Sequence, residues 1–179
     1  MLLRGFAEED ARPMNAVSIS RETIEETLGK SPAFRKVEED LYVVKQGSSY
    51  VMISVTATGP RSKHNERALV RVVAQVVSGV RPEASLFRQL LILNSKLRFG
   101  SFAYLPEGDV VLFAHSILGG KGMDPKELIA TVHDVALVAD EYDDRIVARY
   151  GGARMQDIIE ESALAHIFGA GSEASSEDF

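Results

Sequence analysis

The alternation of apolar and polar positions predicts three strands in the first half of the chain. Apolar runs rich in β-branched and aromatic residues occupy residues 34–45, 48–58 and 69–77, and such runs are typical of strands. Gln46-Gly47-Ser48 separates the first two runs and favours a hairpin turn. The third run is apolar on both sides. We therefore expect that strand to be covered on both faces, or covered on one face with an exposed apolar surface on the other.

Apolar residues spaced three and four apart predict helices on either side of these strands. The first helix takes Ser20 as its N-cap and ends at Gly29. The second begins at Pro82, which suits a first helical turn, and presents a wide apolar face. Two further strands, over residues 99–105 and 110–114, flank a Pro-x-Gly turn and predict a second hairpin.

The clearest helix start in the sequence is Asp124, an N-cap residue followed by Pro125 and, three positions after the cap, by Glu127. This long helix is expected to end at Gly151-Gly152. A last amphipathic segment, residues 153–168, predicts one more helix.

These elements together predict an α+β protein with an antiparallel sheet of about five strands, in the order α-β-β-β-α-β-β-α followed by a C-terminal helix. We expect a flexible N-terminal arm over residues 1–17 and the domain itself over residues 18–152. The amphipathic helix of residues 153–168 and a mobile acidic tail, residues 169–179, follow the domain.

Composition narrows the classes of function. The 179 residues carry a formal net charge of −6 and no cysteine. An acidic chain lacks the basic footprint of a nucleic-acid binder, and without cysteine there is no disulfide or thiol chemistry. No apolar run reaches the roughly 18–20 residues of a membrane span. We therefore expect a cytoplasmic protein with no nucleic-acid and no membrane partner.

Candidate chemistry is sparse. Residues 119–122, Gly-Gly-Lys-Gly, precede a helix and could cradle an anion beside Lys121, which keeps open a small-molecule or anionic-ligand sensor as an alternative function. The segment matches neither phosphate-binding glycine motif, and Asp124 places a negative charge at the helix start. Four histidines fall on different elements without metal spacing. We predict no enzymatic activity, no catalytic residue, no metal and no cofactor.

The order of elements resembles the type III secretion chaperone-like fold, and especially its YbjN-like branch of sensory-transduction regulators. The resemblance is carried by Leu90-Leu91-Ile92-Leu93-Asn94, Phe99-Gly100-Ser101-Phe102, the segment Glu107-Gly108-Asp109-Val110-Val111-Leu112, and the long helix from Glu127 to Asp143. It covers residues 18–152 in topology. Its motifs report a fold more than an activity.

The resemblance implies a small non-enzymatic protein that binds a protein or peptide client, as a chaperone or regulator, and forms a homodimer. Apolar stripes on the predicted elements supply the candidate surfaces. We predict partner-binding contacts at Tyr50, Met52, Ile53, Val55, Tyr104 and Phe113. We predict a dimer or core stripe at Leu86, Leu90, Leu128, Val132, Val135 and Tyr142. Whether the C-terminal helix covers the binding face stays open at this stage.

Overall fold

The computed structural model describes residues 15–58 and 67–160. Its helices are α1 (Ala16–Leu28), α2 (Ala84–Asn94) and α3 (Pro125–Tyr150). Its strands are β1 (Phe34–Glu38), β2 (Leu41–Gln46), β3 (Ser49–Thr58), β4 (Arg67–Ser78), β5 (Ser101–Leu105), β6 (Val110–Leu118) and β7 (Ala153–Arg154). Residues 155–160 are helical up to the end of the described chain.

The strands form one antiparallel sheet in the order β1-β2-β3-β4-β6-β5, and this confirms the predicted α+β class. Val77 of β4 pairs with Val111 of β6 on one side and with Arg154 of β7 on the other. The short strand β7 therefore lies on the β3 side of β4. It attaches the chain that follows α3 to the middle of the sheet.

The sheet has seven strands where about five were expected. The segment of residues 34–45 is two strands, and residues 153–154, expected to belong to the C-terminal helix, form β7. A turn at Glu39 and Asp40 divides residues 34–45, and Arg21 of α1 holds both carboxylates at 2.6 Å. Helix α1 also begins earlier than predicted. Asn15 is its N-cap, accepting a hydrogen bond from the Ser18 amide at 2.8 Å. The prediction of Ser20 as the cap is wrong.

All three helices lie on one face of the sheet. In β3 and β4 every second residue points toward α1 and α3 and is buried, as the alternating burial of both strands shows. Helix α2 packs beside β5, where the rings of Phe87 and Tyr104 lie 5.0 Å apart. A single core therefore fills the space between the helices and one face of the sheet.

The long helix α3 starts as its sequence predicts. The Asp124 side chain accepts a hydrogen bond from the Lys126 amide at 2.9 Å, and Pro125 occupies the first turn. The helix ends at Gly151, whose φ of 73° favours glycine. Across the described part of the chain, no helix is both long and apolar enough to cross a membrane.

Candidate functional site

No described helix or strand covers the face of the sheet opposite the three helices, and we call its part on strands β2 to β6 the open face. The last described residues, 159–160, lie beside Lys45 and Tyr50 at one end of it. Cross-strand pairing defines its rows. Val43, Met52, Val73 and Ala114 form one row, directly opposite one another on neighbouring strands. Because successive residues of a strand point to opposite faces, the neighbours of these residues form the buried core on the other side.

The open face is rich in large apolar side chains. Met52 is 38% exposed, Leu105 44% and Leu118 70%. The full set on this face is Leu41, Val43, Tyr50, Met52, Leu69, Val73, Leu105, Val110, Leu112 and Leu118. Soluble monomers rarely leave contiguous apolar area uncovered without a functional reason. This face is therefore the strongest candidate for a binding surface.

Positive charge accompanies the apolar side chains. Lys45 and Arg71 are both exposed and point to the open face. No outward position of strands β2 to β6 holds an aspartate or glutamate, although the whole chain has a net charge of −6. The nearest carboxylate on the sheet is Glu38 of the edge strand β1, opposite Leu41. The open face thus differs in charge from the rest of the protein.

A shallow groove of about 260 Å³ crosses the centre of the open face. It is lined by Leu41, Met52, Ser54, Arg71, Val73, Leu105 and Leu112. Arg71 lies opposite Ser54 on one side and Ser116 on the other, so its guanidinium is the central cation in an otherwise neutral row. An extended or helical segment that combines apolar groups with a carboxylate would match this groove.

The two edges of the sheet are less suited to adding a strand from a partner. At the β5 edge, Asn94 accepts from the Phe102 amide at 2.7 Å and donates to the Phe102 carbonyl at 3.0 Å. Its side chain therefore occupies the backbone groups that an incoming strand would need. The opposite edge strand, β1, is short and carries Arg35, Lys36 and Glu38, and such charges discourage strand pairing.

The predicted contact residues fall on both sides of the sheet. Tyr50 and Met52 lie on the open face, and Met52 lines its central groove. Ile53, Val55 and Phe113 are buried on the opposite face, under the helices.

The remaining predicted positions belong to the helical side. Tyr104 is half-buried against Phe87, and its hydroxyl bonds Asp109. The members of the predicted stripe lie in the core, with only Tyr142 partly exposed; they are Leu86, Leu90, Leu128, Val132, Val135 and Tyr142.

The glycine-rich segment before α3 is built for packing against α1. The Gly119 amide donates to the Ala68 carbonyl at 2.9 Å, and the Gly120 amide donates to the buried Ser20 hydroxyl at 2.8 Å. A Cβ on Gly119 would lie 2.3 Å from the Ser20 oxygen. These contacts account for the glycines without an anion, because two of the amides that a phosphate would need are already used.

The histidines and carboxylates of the described residues do not form a metal site. His115 is half-buried and accepts a hydrogen bond from the Gly100 amide, while His133 is exposed on α3. His64 and His166 lie outside the described residues. Within residues 15–58 and 67–160, no group of three potential metal ligands comes together.

A second apolar surface lies on α2. Leu91 is 70% exposed and Ile92 45%. Beside them runs a groove of about 660 Å³ that Arg88, Lys96 and Arg149 border with positive charge. We call the exposed side of α2 the α2 ridge. It lies on the helical side of the molecule and is separate from the open face.

Comparison with known proteins identifies the family. A model of the TY-Chap1 family, described as the T3SS (YopN, CesT) and YbjN peptide-binding chaperone 1, matches residues 16–158. The chain belongs to this family. The resemblance stated from the sequence is thereby confirmed. A search of curated proteins found no significant match.

Solved structures support the same fold. A chain in the crystal structure of the ExsC–ExsE complex aligns with a TM-score of 0.55 and 19% sequence identity. The alignment covers 74% of this chain and 97% of that one. At this level of identity the likeness establishes the fold alone.

Sequence reasoning missed several residues of the open face, above all Arg71 and Leu118. A signal for Arg71 was present, since it is a lone cation inside the apolar run of residues 69–77. In an antiparallel strand such a residue marks the face turned away from the core.

Proposed function

We propose that the protein binds apolar, acidic peptide segments of a partner protein on its open face and acts as a chaperone or regulator without enzymatic activity. The observation that carries this proposal is the uncovered face of five strands, where apolar side chains surround Arg71 and Lys45 without a carboxylate among them. Membership of a peptide-binding chaperone family supports it. The ExsC–ExsE complex, in which a protein of similar fold is found with a partner, is consistent with it.

Apolar and charged residues of the open face have different roles in recognising a client. Met52, Val73 and Leu105 offer apolar area, and burying one such side chain fully stabilises a complex by about 1.5–3 kcal/mol. Arg71 and Lys45 select acidic segments and disfavour basic ones, because like charges on opposite sides of an interface repel. The edges contribute little, since Asn94 occupies one of them.

Client binding is tested with a peptide identified by affinity purification and measured by isothermal titration calorimetry. We expect Met52→Asp to weaken binding about tenfold or more, because it replaces an apolar contact with a desolvated charge of the client's sign. Arg71→Glu should weaken it further for acidic peptides. Both side chains are exposed, so the fold should persist.

The matched control is Leu137→Asp on α3, where the apolar side chain is 53% exposed against 38% for Met52. It should change the affinity less than about twofold, within the scatter of surface substitutions. Equal losses from Met52→Asp and Leu137→Asp would place the binding surface elsewhere and contradict the proposal.

The second part of the proposal is a homodimer built on the α2 ridge. Leu91 and Ile92 are adjacent, exposed and apolar, and a two-fold axis brings such a patch against its own copy. Sedimentation equilibrium should find a dimer for the natural chain and a monomer for Leu91→Glu, with Leu137→Glu as the control. If the natural chain sediments as a monomer at micromolar concentration, the homodimer proposal is contradicted, and the proposal of peptide binding on the open face is unaffected.

A further inference from the structure

The chain after α3 passes from the helical side of the sheet to the open face. Met155 lies near Ala139 of α3, on the helical side, together with Ser49 at the end of the sheet. Four residues later, Ile159 lies beside Tyr50 and Lys45, both of which point to the open face. Residues 155–160 therefore round the end of the β2–β3 hairpin, and Glu160 leaves the described structure next to the open face.

This route is fixed by Arg154. Its guanidinium bonds both carboxylate oxygens of Asp157 at 2.8 and 2.9 Å and reaches Asp144 of α3 at 3.0 Å. The Arg154 side chain also holds the pKa of Asp157 below its usual value through these bonds. Pairing of β7 with β4 adds a backbone anchor. The point at which the chain reaches the open face is thus set by several independent contacts.

The small groove at this point is incompletely filled. About 190 Å³ remain between the hairpin and residues 155–160, lined by Lys45, Gly47, Ser48, Tyr50, Gln156, Ile159 and Glu160. Ile159 is 38% exposed at its edge. An apolar residue therefore stays partly uncovered where the described chain ends.

The sequence that follows matches the open face in chemistry. Ala163 and Ile167 continue the i, i+4 stripe that begins with Met155 and Ile159. Leu164 and Phe168 lie next to that stripe, and four acidic residues follow Glu160. Residues 161–168 hold the apolar groups and Glu161, and the other three carboxylates lie further on, at residues 173–178. The open face combines apolar groups with Lys45 and Arg71.

The distances also match. A helix rises 1.5 Å per residue, so a helix from Ile159 to Phe168 would span about 14 Å. Along β3, Tyr50 to Ser54 spans about the same length at roughly 3.4 Å per residue. A helix that starts beside Tyr50 and follows β3 would reach Met52 near Ala163. It would reach the central Arg71, which lies opposite Ser54, near Ile167 and Phe168.

We propose that residues 161–168 dock onto the open face of their own molecule and compete with the client for it. The inference rests on the proposed function, because it assigns a regulator to that same surface. A segment tethered this closely has an effective concentration of the order of 1 mM. An intrinsic dissociation constant of about 0.1 mM then occupies the face about 90% of the time and weakens a client's apparent affinity about tenfold.

The docking itself is tested without any client. Since the chain contains no cysteine, Met52→Cys and Ala163→Cys can be introduced as a single pair and oxidised mildly at low protein concentration. We expect an intramolecular disulfide, read by mass spectrometry. The matched control pairs Ala163→Cys with Leu137→Cys. Leu137 is exposed on α3 next to Ala136, whose carbonyl accepts a hydrogen bond from Ser49 at the same end of the sheet. Equal cross-linking of both pairs, or none with Met52, would overturn the proposal.

Competition is tested with a fluorescein-labelled peptide of residues 159–179 as the probe, added to the full chain and followed by fluorescence anisotropy. Ile167→Asp with Phe168→Asp should raise the affinity for the probe about tenfold, since the internal segment no longer occupies the face. Ser175→Asp with Ser176→Asp adds the same charge and should leave the affinity unchanged. Equal binding by the natural chain and both double variants would overturn the proposal.

The two proposals fail in different ways. A Met52–Ala163 disulfide in a protein that binds no client peptide would support the internal docking and contradict the client function. A client that binds through Met52 and Arg71, with no preferential disulfide at Met52, would sustain the function and remove the internal docking.

Discussion

Asn94 is expected to stabilise the β5 edge by replacing a neighbouring strand. Its amide makes two hydrogen bonds to the backbone of Phe102, at 2.7 and 3.0 Å. Each such bond contributes about 0.5–1.5 kcal/mol net, so Asn94→Ala should lower the free energy of unfolding by about 1–3 kcal/mol. Alanine has a better helix propensity than asparagine at the end of α2, and this offsets at most about 0.7 kcal/mol of the lost stability.

Urea denaturation followed by circular dichroism measures this loss, and the Phe102 amide should lose protection in hydrogen exchange. For a domain of this size the melting temperature should fall by roughly 2–4 °C per kcal/mol. Arg88→Ala, an exposed position on the same helix, is the control and should stay within about 0.5 kcal/mol of the natural chain. If Asn94→Ala matched that control, the edge would be stabilised by something other than Asn94.

Two further predictions concern the core. Gly119→Ala should destabilise the protein by about 1–3 kcal/mol in urea denaturation, because its Cβ would overlap the Ser20 hydroxyl; Gly122→Ala, whose Cβ would meet nothing within 4 Å, should be neutral. Burial and the hydrogen bond to Glu25 raise the pKa of Tyr42, so its stabilising effect is complete below the unfolded-state pKa of about 10 and is lost as the pH rises above it. The stability difference between the natural chain and Tyr42→Phe should therefore shrink between about pH 9 and about pH 11, and a difference independent of pH would refute this.

Elements with local signals were predictable from the sequence. Asp124 and Pro125 fix the start of α3 by capping and by backbone geometry, which depend only on neighbouring residues. The turn at Glu39 and Asp40 was not foreseen, because its stability depends on Arg21, which is distant in sequence. Contacts of this kind leave no periodic signal in a single strand.

The binding surface was only partly predictable for a similar reason. Strand β3 is apolar at Tyr50 and Met52 on one face and at Val51 and Ile53 on the other. Alternation separates these two sets but does not say which one the helices cover. Which set is covered depends on how α1 and α3 pack across several strands. The sequence therefore predicted Ile53 as a partner contact, whereas the structure places it in the core.

The measurement that tests the central claim most directly is site-specific photo-cross-linking of the client. A photoreactive phenylalanine analogue would replace Met52 or Leu118 on the open face, and Ile129 or Leu137 on α3; all four side chains are exposed. Mass spectrometry then identifies the cross-linked client segment. Peptide binding on the open face predicts cross-links from Met52 and Leu118, to apolar, acidic client segments, and none from α3. Cross-links confined to α3, or equal from both sides, would contradict it.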